Sequence, residues 1–261
     1  MDAFVNALTT ILVFGLAYAM LLFIISVGLS ITMGLMGFVN LAHGSFAMVG
    51  GYVTVTATAG WGIPFIPSLL IAFVLVGALS VIFERLLYAR LYKAPELDQV
   101  LLTIGLVFVS IAAVTFVWGA DLINIQIPEF LRGNVDLGFK IIPTYRAFLI
   151  LTGALFAILL FYGLERTKIG AQVRAAVDNR RMAESMGINT GRLFTLVFAL
   201  GSGMAAIGGG LGIQILGGVK PTFAFEYLVL FLIVVAVGGL GNIRGTFFAA
   251  LILGILEFAG R

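Results

Sequence analysis

The sequence predicts an all-α polytopic membrane protein with about seven to eight transmembrane or re-entrant helices and no β-sheet domain. Three observations predict it. No Asp, Glu, Lys or Arg occurs between Ala3 and Phe83. Charged residues are 10% of the 261 and hydrophobic ones 61%, where a soluble domain carries about 25% charged. The charges that do occur gather in islands between apolar runs. A soluble fold cannot hide such runs, and in lipid only helices or closed barrels satisfy the backbone. A barrel would alternate in segments of about ten residues, and these runs are continuous. The net charge of +3 is confined to loops, which fits positive-inside topology and excludes a nucleic-acid surface. With no Cys, disulfides and Cys-based metal sites are excluded.

The elements follow in order. Phe4 to about Ser30 is the first span, read as a span because no basic region or A-x-A site marks a removable signal. An amino terminus whose only charge is Asp2 is expected outside. Gly34 to Ser45 interrupts the apolar pattern, and Phe46 to about Ala59 resumes it with few large residues. A plain hairpin and a re-entrant element lining a cavity both fit this break. Trp61-Gly62-Ile63-Pro64 marks a turn at a membrane interface. Ile66 to Phe83 is a span, leaving into a cytoplasmic stretch, Glu84 to Gln99, with Arg85, Arg90, Lys93, Glu96 and Asp98. Glu84 and Arg85 read as a helix-end ion pair. Val100 to Trp118 spans back to an external loop, about 119–143, and Trp118 then shares an interface with Trp61. Tyr145 to Gly163 returns inward.

The next stretch, Gly170 to Ile188 (GAQVRAAVDNRRMAESMGI), is the most polar of the chain. Arg174 to Met186 lacks Gly and Pro and predicts one helix, with Gly187 as its capping glycine. Val173, Ala176, Val177 and Met186 can line its apolar side, and Asp178 can pair with Arg181 three residues on. A topogenic loop and a docking helix for a soluble partner both fit, within a cytoplasmic loop of about 164–191.

Thr190 to Gly217 runs outward. Gly201, Ala205 and Gly209, and likewise Ser202, Ala206 and Gly210, recur every four residues, a spacing that lets helix backbones approach closely. Lys220 and Pro221 close an outer turn. Tyr227 to Leu240 reaches only about 21 Å at 1.5 Å per residue, and Thr246 to Gly260 is equally short. Glu226 and Arg244 flank these segments as interfacial residues. Glu257 is an acid at membrane depth, a functional candidate by default unless it lies at an interface.

Together these stretches resemble the permease subunits of branched-chain amino-acid ABC importers. The Gly170–Ile188 island looks like that family's cytoplasmic coupling loop. Gly28 to Gly51 (GLSITMGLMGFVNLAHGSFAMVGG) is similar to the signature near its amino end. Phe198 to Gly212 and Gly238 to Gly245 (GGLGNIRG) also fit, so the likeness covers essentially one permease domain, residues 1–261. The resemblance implies an inner-membrane subunit that is no enzyme and holds no cofactor, with ATP-Mg bound by two partner subunits. It implies docking of those subunits on Arg174, Ala175, Asp178, Asn179, Arg180, Arg181, Ala183, Glu184, Gly187 and Ile188. It further implies a second homologous permease or copy of this chain, an external substrate-binding protein, and surrounding lipid. The family continues through a further apolar segment and a basic tail beyond the position of Arg261. About seven spans are therefore expected here and eight in a complete relative.

The residues themselves agree with a subunit that needs partners. No G-x-x-x-x-G-K-[ST] loop is present to bind ATP, and one His without Cys leaves no metal site or triad. Gly44-Ser45-Phe46-Ala47 and Gly245-Thr246-Phe247-Phe248 share a short pattern after a glycine-broken stretch. Paired interruptions in two halves of a transporter point to its substrate path, although four residues of likeness arise readily by chance. Asn40, His43, Gly44, Ser45, Gly239, Gly241 and Asn242 are the candidates for that path. His43 equally reads as a structural residue that holds the break through backbone hydrogen bonds. Alternatives are a permease for urea, amides or another small polar solute, and a self-sufficient secondary transporter or channel relaying ions through His43 and Glu257.

Overall fold

The computed structural model describes residues 2–37, 39–92, 94–136, 138 and 140–260. Lys93 and Arg261 lie outside the described residues, as do the side chains of residues 2–6, including Asp2 and Phe4, and of residue 36. Helix α1 (Asp2–Met36) has 35 residues and so a length of about 52 Å, more than the ~30 Å hydrocarbon core requires. It is apolar all round, and such a helix belongs in the interior. Most of its length from Ala17 to Leu35 is buried. Gly34 does not interrupt it; α1 ends at Met36, before Gly37 at φ +74°, and α2 begins at His43.

The chain then enters α2 (His43–Val55), which runs on into a π-helical turn, Thr56–Gly60. Thr54, Thr56 and Thr58 each donate to the carbonyl four residues back, at 2.7–2.9 Å, so their hydroxyls need no water. Helix α3 (Phe65–Phe83) continues through a π-helical stretch, Glu84–Tyr88, into α4 (Ala89–Leu91). The expected loop from Glu84 is thus helical for two more turns. Helix α5 (Glu96–Trp118) starts directly after Pro95, which is unable to continue a preceding helix.

The far loop holds a 3₁₀ turn, Glu129–Leu131, and a small antiparallel pair, β1 (Asn134–Asp136) and β2 (Ile141–Pro143), with Val135 opposite Ile142. Then follow α6 (Thr144–Arg166), α7 (Lys168–Asp178), α8 (Arg180–Ser185) and α9 (Thr190–Leu216). The chain closes with α10 (Phe223–Glu226), α11 (Leu228–Gly238) and α12 (Ile243–Ala259). Among the described residues, five helices are long and apolar enough to cross a membrane. Helices α2, α11 and α12 are shorter. This is an all-α polytopic membrane protein.

Helix α9 stands at the centre, packed by α1, α2 and α3. Its small residues make this possible. A side chain at Gly209 would overlap the Ala47 carbonyl of α2, and one at Gly28 would overlap the backbone at Gly201. The four-residue spacing therefore serves close packing of backbones, which in lipid replaces the hydrophobic driving force. Helices α5 and α6 form the periphery, with Phe116 91% and Leu151 70% exposed, as side chains facing lipid would be.

Two ends can be distinguished. The Trp118 indole donates to Thr56 Oγ1 at 2.7 Å and its ring lies 5.2 Å from that of Tyr52, which places Trp118 beside the Trp61 turn as expected. Ile123 bridges Val219, so the far loop and the Lys220 turn share that end. The polar island occupies the other.

Candidate functional site

The island is two helices rather than one. Thr167 opens α7 by accepting from the Gly170 amide at 3.0 Å, one of the orphan donors at a helix start. Asn179, at φ −150°, ends α7 and begins α8, where its side chain accepts from the Met182 amide at 3.0 Å. The turn separates Asp178 from Arg181, and the ion pair found on the island is Arg180 with Glu184 at 3.0 Å in place of the expected Asp178–Arg181 pair. Gly187, at φ +81°, closes α8. Its amide donates to Glu184 and that of Ile188 to Ala183, the double bond of a Schellman cap.

The caps fix which residues face outward. Arg174, Ala175, Asp178, Asn179, Arg181, Glu184 and Gly187 are exposed, whereas Ala183 is buried and Arg180 and Ile188 are half-buried. Val173 and Ala176 pack inward and Val177 is half-buried. Met186 was expected with them but is 78% exposed, and Met182 is 66% exposed, because the turn at Asn179 rotates α8 relative to α7.

The first break lies between α1 and α2. Asn40, fully buried, accepts through Oδ1 from the Ala42 amide at 3.1 Å and from the Tyr88 hydroxyl at 2.9 Å. His43 Nε2 lies 3.0 Å from the Ile25 carbonyl of α1; a carbonyl only accepts, so Nε2 carries the proton. His43 thus holds α2 to the backbone of α1. Gly44 lies against the Ala224 carbonyl of α10. Asn40 Nδ2, His43 Nδ1 and the Ser45 hydroxyl are buried without a partner among the described residues. Asn40, His43, Gly44 and Ser45 are all enclosed within the chain.

The second break lies between α11 and α12. Gly239 and Gly241 have φ of +89° and +72°. Ser30 of α1 donates to the Gly239 carbonyl at 3.1 Å and accepts, through its own carbonyl, the Gly241 amide at 2.9 Å. Asn242 caps α12 by accepting from the Gly245 amide at 3.0 Å. A side chain at Gly241 would meet Val177 of α7 at 2.8 Å. Arg174, Gly241 and Asn242 also share one cleft of about 160 Å³ with Glu165 and Arg244, which are themselves paired. The structure therefore brings a residue of the island together with the second break. Among the described residues, each break contacts α1 separately, the first through His43 and Ile25 and the second through Gly239, Gly241 and Ser30. Glu257 lies near the far end of α12, in a cleft of about 290 Å³ with Tyr18, Glu226 and Tyr227. Among the described residues no cluster of three His, Asp or Glu side chains could hold a metal ion.

Comparison with known proteins decides the family. The profile described as branched-chain amino acid transport system, permease component, matches residues 11–261. The chain belongs to this family. It is 28% identical over 247 residues to the high-affinity branched-chain amino acid transport system permease protein LivH of Escherichia coli K12, covering 90% of this chain and 80% of that one. It is 28% identical over 273 residues to BraD of Pseudomonas aeruginosa, a permease protein of the same description, covering 98% and 84%. More distant is the fructose import permease protein FrcC of Rhizobium meliloti, 26% identical over 238 residues, covering 85% and 63%. No solved structure matches this chain.

The permease also contains a cluster that its sequence does not reveal. Glu84 is 3% exposed and is not a helix-end partner of Arg85. Its Oε1 accepts from the Tyr92 hydroxyl at 2.5 Å and its Oε2 from Thr195 at 2.8 Å. Glu84 continues the buried face of Val76 and Ser80 at four-residue steps, and it opens the π-helical stretch Glu84–Tyr88, both ends of which are buried. Burial, helped by the hydrogen bond to Glu84, drives the Tyr92 phenol well above its usual range and keeps it protonated as a donor. The only sequence signal was a lone acid at the end of an apolar run, and that signal is the same for an exposed acid.

Proposed function

We propose that this chain is the transmembrane permease subunit of an ATP-driven importer of branched-chain or related amino acids in the cytoplasmic membrane. Two ATP-binding subunits, which hold ATP-Mg, dock on the Arg174–Ile188 island. An external binding protein delivers the substrate, which crosses where this chain meets a second permease or another copy of itself. The observation that supports the docking is the island's construction. Caps at Thr167, Asn179 and Gly187 fix two short helices whose outer face presents Arg174, Arg181, Met182 and Met186. A mere topogenic loop needs charge but no such fixed shape. Gly239, Gly241 and Asn242 at the second break border the substrate's path, whereas Asn40, His43, Gly44 and Ser45, enclosed within the chain, hold the first break behind it. The names of LivH and BraD support branched-chain amino acids as cargo.

The test is reconstitution of this chain with its partner subunits in vesicles. Uptake of labelled leucine should require ATP. Arg174→Glu, which reverses an exposed charge, should leave membrane insertion normal and lower ATP-driven uptake by about tenfold, since a misplaced charge at a docking face costs on the order of 1–2 kcal/mol. Uptake without ATP would establish a secondary carrier instead. ATP-driven uptake of a sugar, urea or an amide in place of leucine would retain the mechanism and replace the cargo.

A further inference from the structure

A chain of side-chain contacts leads from the island to the first break. Arg180 of α8 lies with its guanidinium 4.6 Å from the Phe194 ring centre and 5.8 Å from that of Tyr92, within range of cation–π attraction. It is held there by Glu184, which also accepts from Thr190 at 2.6 Å. The Tyr92 and Phe194 rings meet edge to face at 5.5 Å. Tyr92 and Thr195 then donate to the two oxygens of Glu84. One turn along the π-helical stretch, the Tyr88 ring meets that of Phe198 at 5.0 Å, tilted by 54°, and its hydroxyl donates to Asn40 in the break. Phe198 in turn meets Phe46 at 5.7 Å, in the first turn of α2.

Two features set this chain apart from ordinary packing. Glu84 is a buried carboxylate with no ion pair among the described residues. Such a charge persists at depth only where hydrogen bonds satisfy it, so its two hydroxyl donors must keep their geometry together. In addition, the stretch that carries Glu84 and Tyr88 is π-helical, an insertion that is rare and concentrates at functional sites.

We infer that Glu84, with Tyr92, is a positioning residue that transmits displacement of α8 through the π-helical stretch to Asn40 and the start of α2. The inference rests on the docking of ATPases to the island proposed above. When α8 moves, Arg180 drags the Tyr92–Phe194 pair. Because Tyr92 and Thr195 grip one carboxylate, the end of the α3–α4 rod and the start of α9 move as one body. Tyr88 then carries that movement to the Asn40 side chain, on which the Ala42 turn is built.

The experiment uses the whole transporter in vesicles and reads three quantities: retention of the ATPase subunits, ATP hydrolysis without substrate, and substrate taken up per ATP. Glu84→Gln keeps the shape but replaces two charge-assisted hydrogen bonds by weaker neutral ones. It should retain the ATPases and basal hydrolysis within about twofold and lower uptake per ATP by roughly tenfold. Tyr92→Phe, which removes one hydroxyl, should show the same split to a smaller degree and serves if Glu84→Gln fails to accumulate. Glu84→Asp should recover less than half of the loss, because its shorter side chain reaches one donor only. Uptake per ATP unchanged in both Glu84→Gln and Tyr92→Phe, with ATPases retained, overturns this inference and leaves the docking intact. Failure of the unaltered chain to retain ATPases removes the docking and this inference with it.

Discussion

At the scale of single residues, His43 shows how a polar side chain survives in an apolar interior. Its Nε2–H bonds the Ile25 carbonyl, and its ring lies 6.3 Å edge-on to Phe46. It ties a helix start to the neighbouring helix where the backbone is broken. Replacing it with Ala removes that bond and leaves a void, at a cost of about 2 kcal/mol. Thermal unfolding of the purified protein should rank wild type above His43→Gln, whose amide can reach the same carbonyl, and both above His43→Ala. A gating residue without structural duty would give three equal midpoints and altered uptake. Asn40 and His43 were legible in the sequence because polar residues in an apolar run must be satisfied by something. Glu84 was not legible. Its partners Tyr92 and Thr195 lie 8 and 111 positions away, and composition does not tell a buried acid at the end of an apolar run from an exposed one.

At the scale of elements, the island illustrates what capping residues determine. Its helical character followed from the absence of Gly and Pro and from Gly187 at the end. Its division at Asn179 did not, because Asn is tolerated within a helix and is decisive only when its backbone is extended. The division matters, since it exposes Met182 and Met186 and brings Arg180 over Phe194. Gly187 carries the other end. At φ +81° a β-branched side chain is strongly disfavoured. Gly187→Val should therefore fray α8, with normal insertion but loss of ATPase retention. Gly187→Asn, which tolerates the left-handed conformation, should retain most of it. Equal ATPase retention in the two variants would show that the cap does not shape the docking face.

At the scale of the whole molecule, the small residues that recur every four positions in α9 read from the sequence as places of close backbone approach, and the structure packs α1, α2 and α3 against them. The shared end of Trp61 and Trp118 was equally legible. Which end faces the cytoplasm is a question of charge. Arg85, Arg90, Arg166, Lys168, Arg174, Arg180, Arg181, Arg192 and Arg244 belong to segments at the island end. The far end has Arg132, Lys140, Arg146 and Lys220. The Lys and Arg bias of short loops sets orientation, so the island should face the cytoplasm and the amino terminus the outside. The chain has no Cys, which makes a single introduced thiol a clean reporter. In intact cells a membrane-impermeant maleimide should label Asp121→Cys in the far loop and spare Met186→Cys on the island. After the membrane is opened, both should react, because both positions are exposed. Labelling of Met186→Cys in sealed cells would turn the molecule over and place the island where no cytoplasmic ATPase could reach it. The same result would remove the ATP-driven mechanism proposed for the island.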